Sequence, residues 1–456
     1  MYDYGTSVLG SGYPLALLVL AIVFIVLSTS KLKLHPFLAL ILAALGFGLC
    51  SKMPLADVAK SVNDGFGGTI GSIGIVIIFG TIIGSFLEKS GGAQSLADST
   101  LRVTGEKNVP LAMGIIGYIV SMPVFCDSGF VLLSPLNKAL SRKAGTSIAA
   151  GGIALSLGLY ATHTMVPPTP GPIGAAGILK ADLALVIMWG MAIAAAAMVI
   201  GWIFAITVAA REKVTEEVTP SAHPLATPTE DRPGTIKAVI PIILPIILII
   251  LQSIAKYPTK PFGEGPAVTW LIFLGQPIIA LFLGVLFALL LPKKFDRNML
   301  SGGGWVGEAV IASAIIIIIT GAGGSFGKVL QNSGIADTVG SLLKDANMGI
   351  WLPFLIAAGI KTAQGSSTVS MITTAGIVLP LLPALGLDSE TGKALATVGI
   401  GAGAMVVSHA NDSYFWVVSQ FTGLSVQQGY RLQTLGTLIE GVGAGIVLWV
   451  VSLAVL

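Results

Sequence analysis

"MWGMAIAAAAMVIGWIFAITVAA" (188–210) runs for 23 residues without a charge. As a helix rising about 1.5 Å per residue it reaches about 35 Å, enough to cross a hydrocarbon core of about 30 Å. "LALLVLAIVFIVLS" (15–28) is a second such run, and others follow along the chain. The 456 residues are 54% hydrophobic and 10% charged, with a mean hydropathy of +0.89. Soluble domains carry roughly a quarter charged residues, so too little polar surface exists here to coat a water-soluble globule. A membrane β-barrel needs alternation of apolar and polar residues in strands of about 10, whereas these runs are continuous. The composition predicts an all-α polytopic membrane protein in a lipid bilayer, with roughly 10–14 spanning or re-entrant helices.

The first run does not read as a cleavable leader, because the only charge before it is Asp3, while Lys31 and Lys33 follow it. The same asymmetry predicts an N-terminus on the non-cytoplasmic side. A net charge of +3 without a basic stripe argues against nucleic acid. Cys50 and Cys126 both lie in apolar segments, so no disulfide is expected. The 57 glycines suit close helix contact and backbone breaks in a bilayer.

The long polar stretch "REKVTEEVTPSAHPLATPTEDRPGTIK" (211–237) reads as a linker between two halves, 1–210 and 238–456. The halves echo each other. Gly-Ser-Phe at 84–86 recurs at 324–326, an offset of 240. "CDSGFVLLSPL" (126–136) falls opposite "QGSSTVSMITTAGIVLPLL" (364–382), at 238 counted from Asp127 to Gly365. "ATHTMVPPTPGP" (161–172) falls opposite "VSHANDSYFW" (407–416), with His163 and His409 offset by 246. Three landmarks in one order predict two repeats, inverted if each holds an odd number of spans, and repeat pairs are a transporter architecture. Basic residues on both sides of the Asp127 segment, at 89–107 and 138–143, require that segment to re-enter or a polar stretch to cross. Discontinuous helices and hairpins are expected there.

Four polar breaks interrupt apolar helices: 126–129, 163–172, 364–368 and 409–413. Non-helical backbone at bilayer depth must line a cavity or be buried in protein. Helix ends at such breaks offer N–H groups to anions and carbonyls to cations or hydroxyls. The candidate substrate-binding residues are Ser128, Gly129, His163, Thr169, Lys361, Gln364, Gly365, Ser366, Ser367, Thr368, His409, Asn411 and Ser413. Together they suit a small, hydroxyl-rich organic anion. Asp127 and Asp412 are the candidate proton-coupling groups, because ionisable side chains at bilayer depth mark transport pathways, and a desolvated carboxyl can load and release a proton. The competing reading has each aspartate pairing with a basic neighbour or capping a broken helix.

His163 and His409 have the alternative of structural hydrogen bonding, and Lys361 that of snorkelling to the interface. Glu440 has no converging polar neighbours in the sequence and is assigned a structural role. Neither metal-ligand spacing nor a nucleophile with an oriented base is present, so no metal, no cofactor beyond the coupling proton and no enzyme activity are expected. "GAGGSFGKV" (321–329) mimics a phosphate-binding loop, but that pattern needs Gly at 322, which is Ala, and Ser or Thr at 329, which is Val. A passive organic-anion channel would share the duplication and the glycines.

The segments "SGGAQSLA", "FCDSGFVLLSPL", "HTMVPPTPGPIGAAGIL", "TGAGGSFGKVL", "QGSSTVSMITTAGIV" and "SHANDSYFWV" give the chain, over nearly its full length, a resemblance to the gluconate permease family. The resemblance implies proton symport of gluconate or a related sugar acid across a bacterial inner membrane, with D-serine as the substrate of some members. It also implies the ion-transporter type of fold, in which hairpins and broken helices move in an elevator-like cycle. Carried over by position, its functional residues are Asp127, His163, Pro167, Pro168, Gln364–Ser366 and residues 411–413. Cys126 and Ser128 add polarity beside Asp127 that gluconate-type members typically lack. Flat helical faces would accommodate a homodimer.

Overall fold

The computed structural model describes residues 13–104, 108–212, 214, 232–256, 261–333, 348–409 and 412–456. Every regular element among them is helical, so the fold is all-α. In the first half, α1 (Tyr13–Ser30) and α2 (Pro36–Cys50) form an antiparallel pair beside the 35-residue α3 (Leu55–Lys89). Then come α4 (Gly92–Thr104), α5 (Val109–Val120), α6 (Cys126–Ala144), α7 (Ile148–Met165), α8 (Pro170–Leu179) and α9 (Leu183–Thr207). In the second half, α10 (Thr235–Ala255) precedes α11 (Pro266–Leu274) and α12 (Pro277–Ala288), which meet at 70°. The chain continues through α13 (Trp305–Asn332), α14 (Trp351–Gln364), α15 (Ser367–Val378), α16 (Glu390–Gly403), α17 (Ser413–Thr422) and α18 (Leu435–Val455). A π-helical turn, Tyr430–Thr434, leads into α18. The linker predicted at 211–237 lies mostly outside the described residues.

Five helical stretches among the described residues are long and apolar enough to cross a membrane, and up to seven if each bent pair counts as one span. Five shorter apolar helices accompany them. Many large apolar side chains face away from the protein, including Val199, Ile203 and Ile206 on α9 and Ile446, Trp449 and Leu453 on α18. In water such a surface would aggregate, whereas lipid tails solvate it. The chain is a multi-pass membrane protein.

The stretch Ile148–Leu179, which contains α7 and α8, is 94% buried, against 33% for Val426–Val455. It is the central column, and α5, α6, α9 and α16 pack around it. α3 and α13 form a second tightly packed unit in which glycine sets the approach. A methyl group at Gly65 would lie 2.5 Å from the Gly324 carbonyl oxygen, and one at Gly324 would lie 2.0 Å from Thr69 Oγ1. Glycine at both positions lets the backbones touch without a hydrophobic driving force between helices. The glycine-rich 321–329 is thus interior helix, with no phosphate-binding loop geometry.

The breaks fall a few residues from the predicted positions. Cys126–Gly129, predicted as a break, is the first turn of α6, and the unwound residues are 121–125. Pro123 explains the shift: it cannot continue α5, and the helix restarts after it. In 163–172, the residues up to Met165 stay helical, 166–169 unwind, and Pro170 restarts the chain as the first residue of α8, where a missing N–H does no harm. The third break narrows to Gly365 and Ser366, with Gly365 at φ 93° ending α14. The fourth begins earlier, at Ala404.

Candidate functional site

α5 at 12 residues, α14 at 14 and α15 at 12 are each too short to span. α5–α6 and α14–α15 therefore read as hairpins whose turns lie inside the protein. Those turns and the two broken helices meet at one cavity of about 310 Å³. Phe125, Cys126 and Asp127 come from the first hairpin, and Gly365, Ser366, Ser367 and Thr368 from the second. Tyr160 and His163 come from α7, and Asp412 and Tyr414 from the junction of α16 and α17. Both halves of the chain contribute. A larger space of about 750 Å³ lies between α3, α8, α10 and α13, but the breaks do not converge on it, so the smaller chamber is the candidate site.

The first-turn N–H groups of α6 and α15 have no acceptor one turn back and present partial positive charge at the helix start. Cys126 and Asp127 begin α6 and Ser367 and Thr368 begin α15, and all four line the cavity. Ser366 shapes the second turn by accepting from Val369 N. Opposite them, Tyr160 stacks on His163 with ring centroids 6.5 Å apart, and Phe125 lies 5.9 Å from the His163 ring. His163 Nδ1 is buried and has no hydrogen-bond partner among the described residues.

Asp412 accepts four hydrogen bonds in the wall. Its Oδ1 accepts from Tyr414 N at 3.0 Å and caps α17. Its Oδ2 accepts from Lys361 Nζ at 2.7 Å, from Ser408 Oγ at 2.5 Å and from Tyr160 Oη at 3.5 Å. Lys361 Nζ also donates to the Gly365 carbonyl at 2.7 Å. Just upstream Val407, a β-branched residue, sits at φ 57°. That conformation is unfavourable for such a side chain, and stored backbone strain of this kind collects at functional sites.

The remaining sequence candidates lie off the cavity wall. Ser128 faces Glu88 on α3. Gly129 packs on Leu159, whose Cδ2 would be 2.8 Å from an added methyl. The Thr169 hydroxyl donates to the Val166 carbonyl within its own break. His409 Nε2 donates to the Thr362 carbonyl at 2.8 Å, which ties the fourth break to α14. Lys361 is fully buried and ion-paired, so it does not snorkel. Asn411 and the side chains of Gln364 and Ser413 lie outside the described residues. The sequence reading missed Tyr160 and Tyr414. Tyr160 stands one helical turn before His163, a spacing that places both on one face.

Residues 13–454 match the profile described as the GntP family permease. The chain belongs to the GntP permease family. The permease is 35% identical to a gluconate permease of Pseudomonas aeruginosa over 92% of its own length and 94% of that protein. It is 31% identical to a gluconate permease of Bacillus subtilis, over 95% and 98% of the two chains. It is also 32% identical to the D-serine transporter DsdX of Escherichia coli, over 93% and 95%. Among solved structures, the Alcanivorax borkumensis YdaH transporter, described as having an unusual topology, superposes with a TM-score of 0.63 at 17% identity. That likeness covers 92% of the permease and 99% of YdaH, and it bears on the fold alone. The permease is a transporter, not an enzyme.

Proposed function

We propose that the permease is a proton symporter that takes up gluconate or a related small hydroxycarboxylate. The cavity volume, near the lower end of the roughly 300–1,000 Å³ of small-molecule sites, fits a small polyol acid. Helix-start N–H groups would hold the carboxylate, and Ser366, Ser367, Thr368, Tyr160 and His163 would meet the hydroxyls. Gluconate permeases among its relatives support this substrate class.

The charge count carries the coupling. Asp127 and Asp412 face the cavity and Lys361 is bonded to Asp412. An entering anion adds negative charge to a water-poor chamber already lined by two carboxyl groups, where repulsion is strong, and one proton entering with it offsets the added charge. Asp127 and Asp412 are the two candidate carriers of that proton.

Packing supports two inverted repeats: α6 packs on α17, and α15 packs on α8, so each hairpin's inner arm meets the second segment of the other half's broken helix. An elevator-like movement of these elements against α3 and α13 would expose the cavity alternately. Lys31 and Lys33 after the first apolar run support a non-cytoplasmic N-terminus, and an inner membrane permease of Escherichia coli among its relatives supports the bacterial inner membrane as the location. A second reading, an amino-acid symporter, rests on the DsdX likeness, with a wall carboxylate positioned to meet a substrate ammonium group.

Purified permease in proteoliposomes tests both. An imposed pH gradient, acid outside, should drive gluconate above equilibrium, with glycerate, fructuronate and D-serine as competitors. Dissipative uptake that only equilibrates would make it a pore, and competition by D-serine alone would favour the amino-acid reading.

A further inference from the structure

Ten buried side-chain oxygen and nitrogen atoms lack a hydrogen-bond partner among the described residues, and five of them fall in one seam behind the cavity. They are Ser419 Oγ and Thr422 Oγ1 on α17, Gln433 Nε2 in the π-helical turn, and both carboxyl oxygens of Glu440 on α18. Glu440 and Gln433 are fully buried. A buried polar group without a partner costs about 1–3 kcal/mol, so a cluster of them in a packed bundle needs a cause. Ordered water is the usual one where space and two to four polar partners exist.

Polar groups run along the seam, flanked by small residues. At the cavity end, the Tyr414 hydroxyl donates to the Ser156 carbonyl at 3.0 Å. Ser156 Oγ donates to Gln433 Oε1 at 2.8 Å. Gly152, one turn before Ser156, faces Thr422 Oγ1, and Gly429, one turn before Gln433, faces Ser419 Oγ. Glu440 Oε1 lies against Gly201 of α9, beside Leu157. An added methyl would lie 2.8 Å from Thr422 Oγ1, 2.6 Å from Ser419 Oγ and 3.2 Å from Glu440 Oε1, so each of these oxygens packs against glycine backbone that offers it no side-chain partner. At the start of the π-helical turn, two residues before Gln433, Arg431 pairs with Glu212 at 2.8 Å and is largely exposed.

We propose that Ser156, Ser419, Thr422, Gln433 and Glu440 line a buried water file that carries the coupling proton between the cavity and the Arg431 end of the bundle, with Glu440 as its proton-holding station. The inference rests on the symport reading and adds the route. Each step breaks one O–H bond as it forms another between water and the carboxyl, and no electrons change hands. Few other titratable groups lie on the elements packed against α18: the π-helical turn carries Tyr430 and Arg431, both exposed. α9 carries none, and α16 carries only Glu390 and Lys393, paired at its own start. α7 contributes Tyr160 and His163, α17 Tyr414, and α14 Lys361, held by Asp412.

The test uses full-length permease in proteoliposomes with an internal pH dye, reading proton entry, gluconate accumulation and, separately, gluconate binding by thermal shift. Glu440→Gln should cut proton-driven accumulation at least tenfold while binding persists, and Glu440→Asp should keep part of the flux. The double variant Ser419→Ala/Thr422→Val should do the same, with no titratable group removed. In a dry seam, those apolar replacements would stabilise the protein and leave the flux at wild type, which overturns the proposal. Wild-type flux in Glu440→Gln overturns it equally, and if that variant does not fold the double variant decides. Wild-type permease that moves no protons would instead sink the symport reading.

Discussion

Lys361 and Asp412, 51 residues apart in sequence, form an ion pair at 2.7 Å with side-chain exposures of 0% and 7%. The pair does more than neutralise two charges. Lys361 sits on the last turn of α14 and also holds the Gly365 carbonyl, so it clamps the second hairpin to the fourth break at the cavity wall.

Removing one partner leaves the other charged and buried, which costs about 3–5 kcal/mol. Lys361→Met and Asp412→Asn should each lower the melting temperature of detergent-purified permease strongly. The double variant should recover much of that loss, because no uncompensated charge remains. A double variant whose loss equals the sum of the two singles would show that the residues are not coupled.

Asp127→Asn removes a charge from the cavity at nearly constant volume. Gluconate exchange across vesicles without a gradient should continue, while accumulation driven by a pH gradient falls at least tenfold. Intact pH-driven accumulation in this variant would shift the proton to Asp412.

Much of this was legible in the sequence because the constraint is severe. A charge or a Pro-Pro pair in an apolar helix has few physical explanations, and so Asp127, His163, Gly365–Thr368 and Asp412 all reached the cavity. The exact unwound residues were not legible. Cys126–Gly129 looks like a break by polarity, but backbone geometry is set by Pro123, five residues before Ser128. Ser128 and Gly129 were misplaced for the same reason: once they are helical, their side-chain directions follow the helix and point to Glu88 and Leu159. Lys361 and His409 belong to contacts between segments far apart in sequence, and no local pattern encodes those. Glu440 was read as structural because its neighbours along α18 are apolar, yet the polar groups nearest its seam come from α7, α17 and the π-helical turn.

His163 presents to the cavity wall a buried Nδ1 without a hydrogen-bond partner among the described residues. His163→Ala should raise the KM for gluconate at least tenfold with a smaller effect on Vmax, as expected when a group serves binding. His163→Gln, which keeps a hydrogen-bonding tip, should recover part of the affinity. Equal KM values across the three proteins would leave the histidine a packing role against Tyr160 and Phe125.

Gly365 turns the second hairpin at φ 93°, a backbone conformation that an L side chain adopts only with strain. Gly365→Ala should therefore cost about 1–3 kcal/mol, and it should also displace the carbonyl that Lys361 holds and the Ser366–Thr368 turn beside it. Gly386 supplies the comparison, since it has φ 70° with nothing within 4 Å of an added methyl and does not line the cavity. Gly386→Ala should show a similar loss in melting temperature with uptake near wild type, whereas Gly365→Ala should lose uptake at least tenfold. If the two variants lose uptake in the same proportion, the defect is general strain and the hairpin turn has no special part in holding substrate.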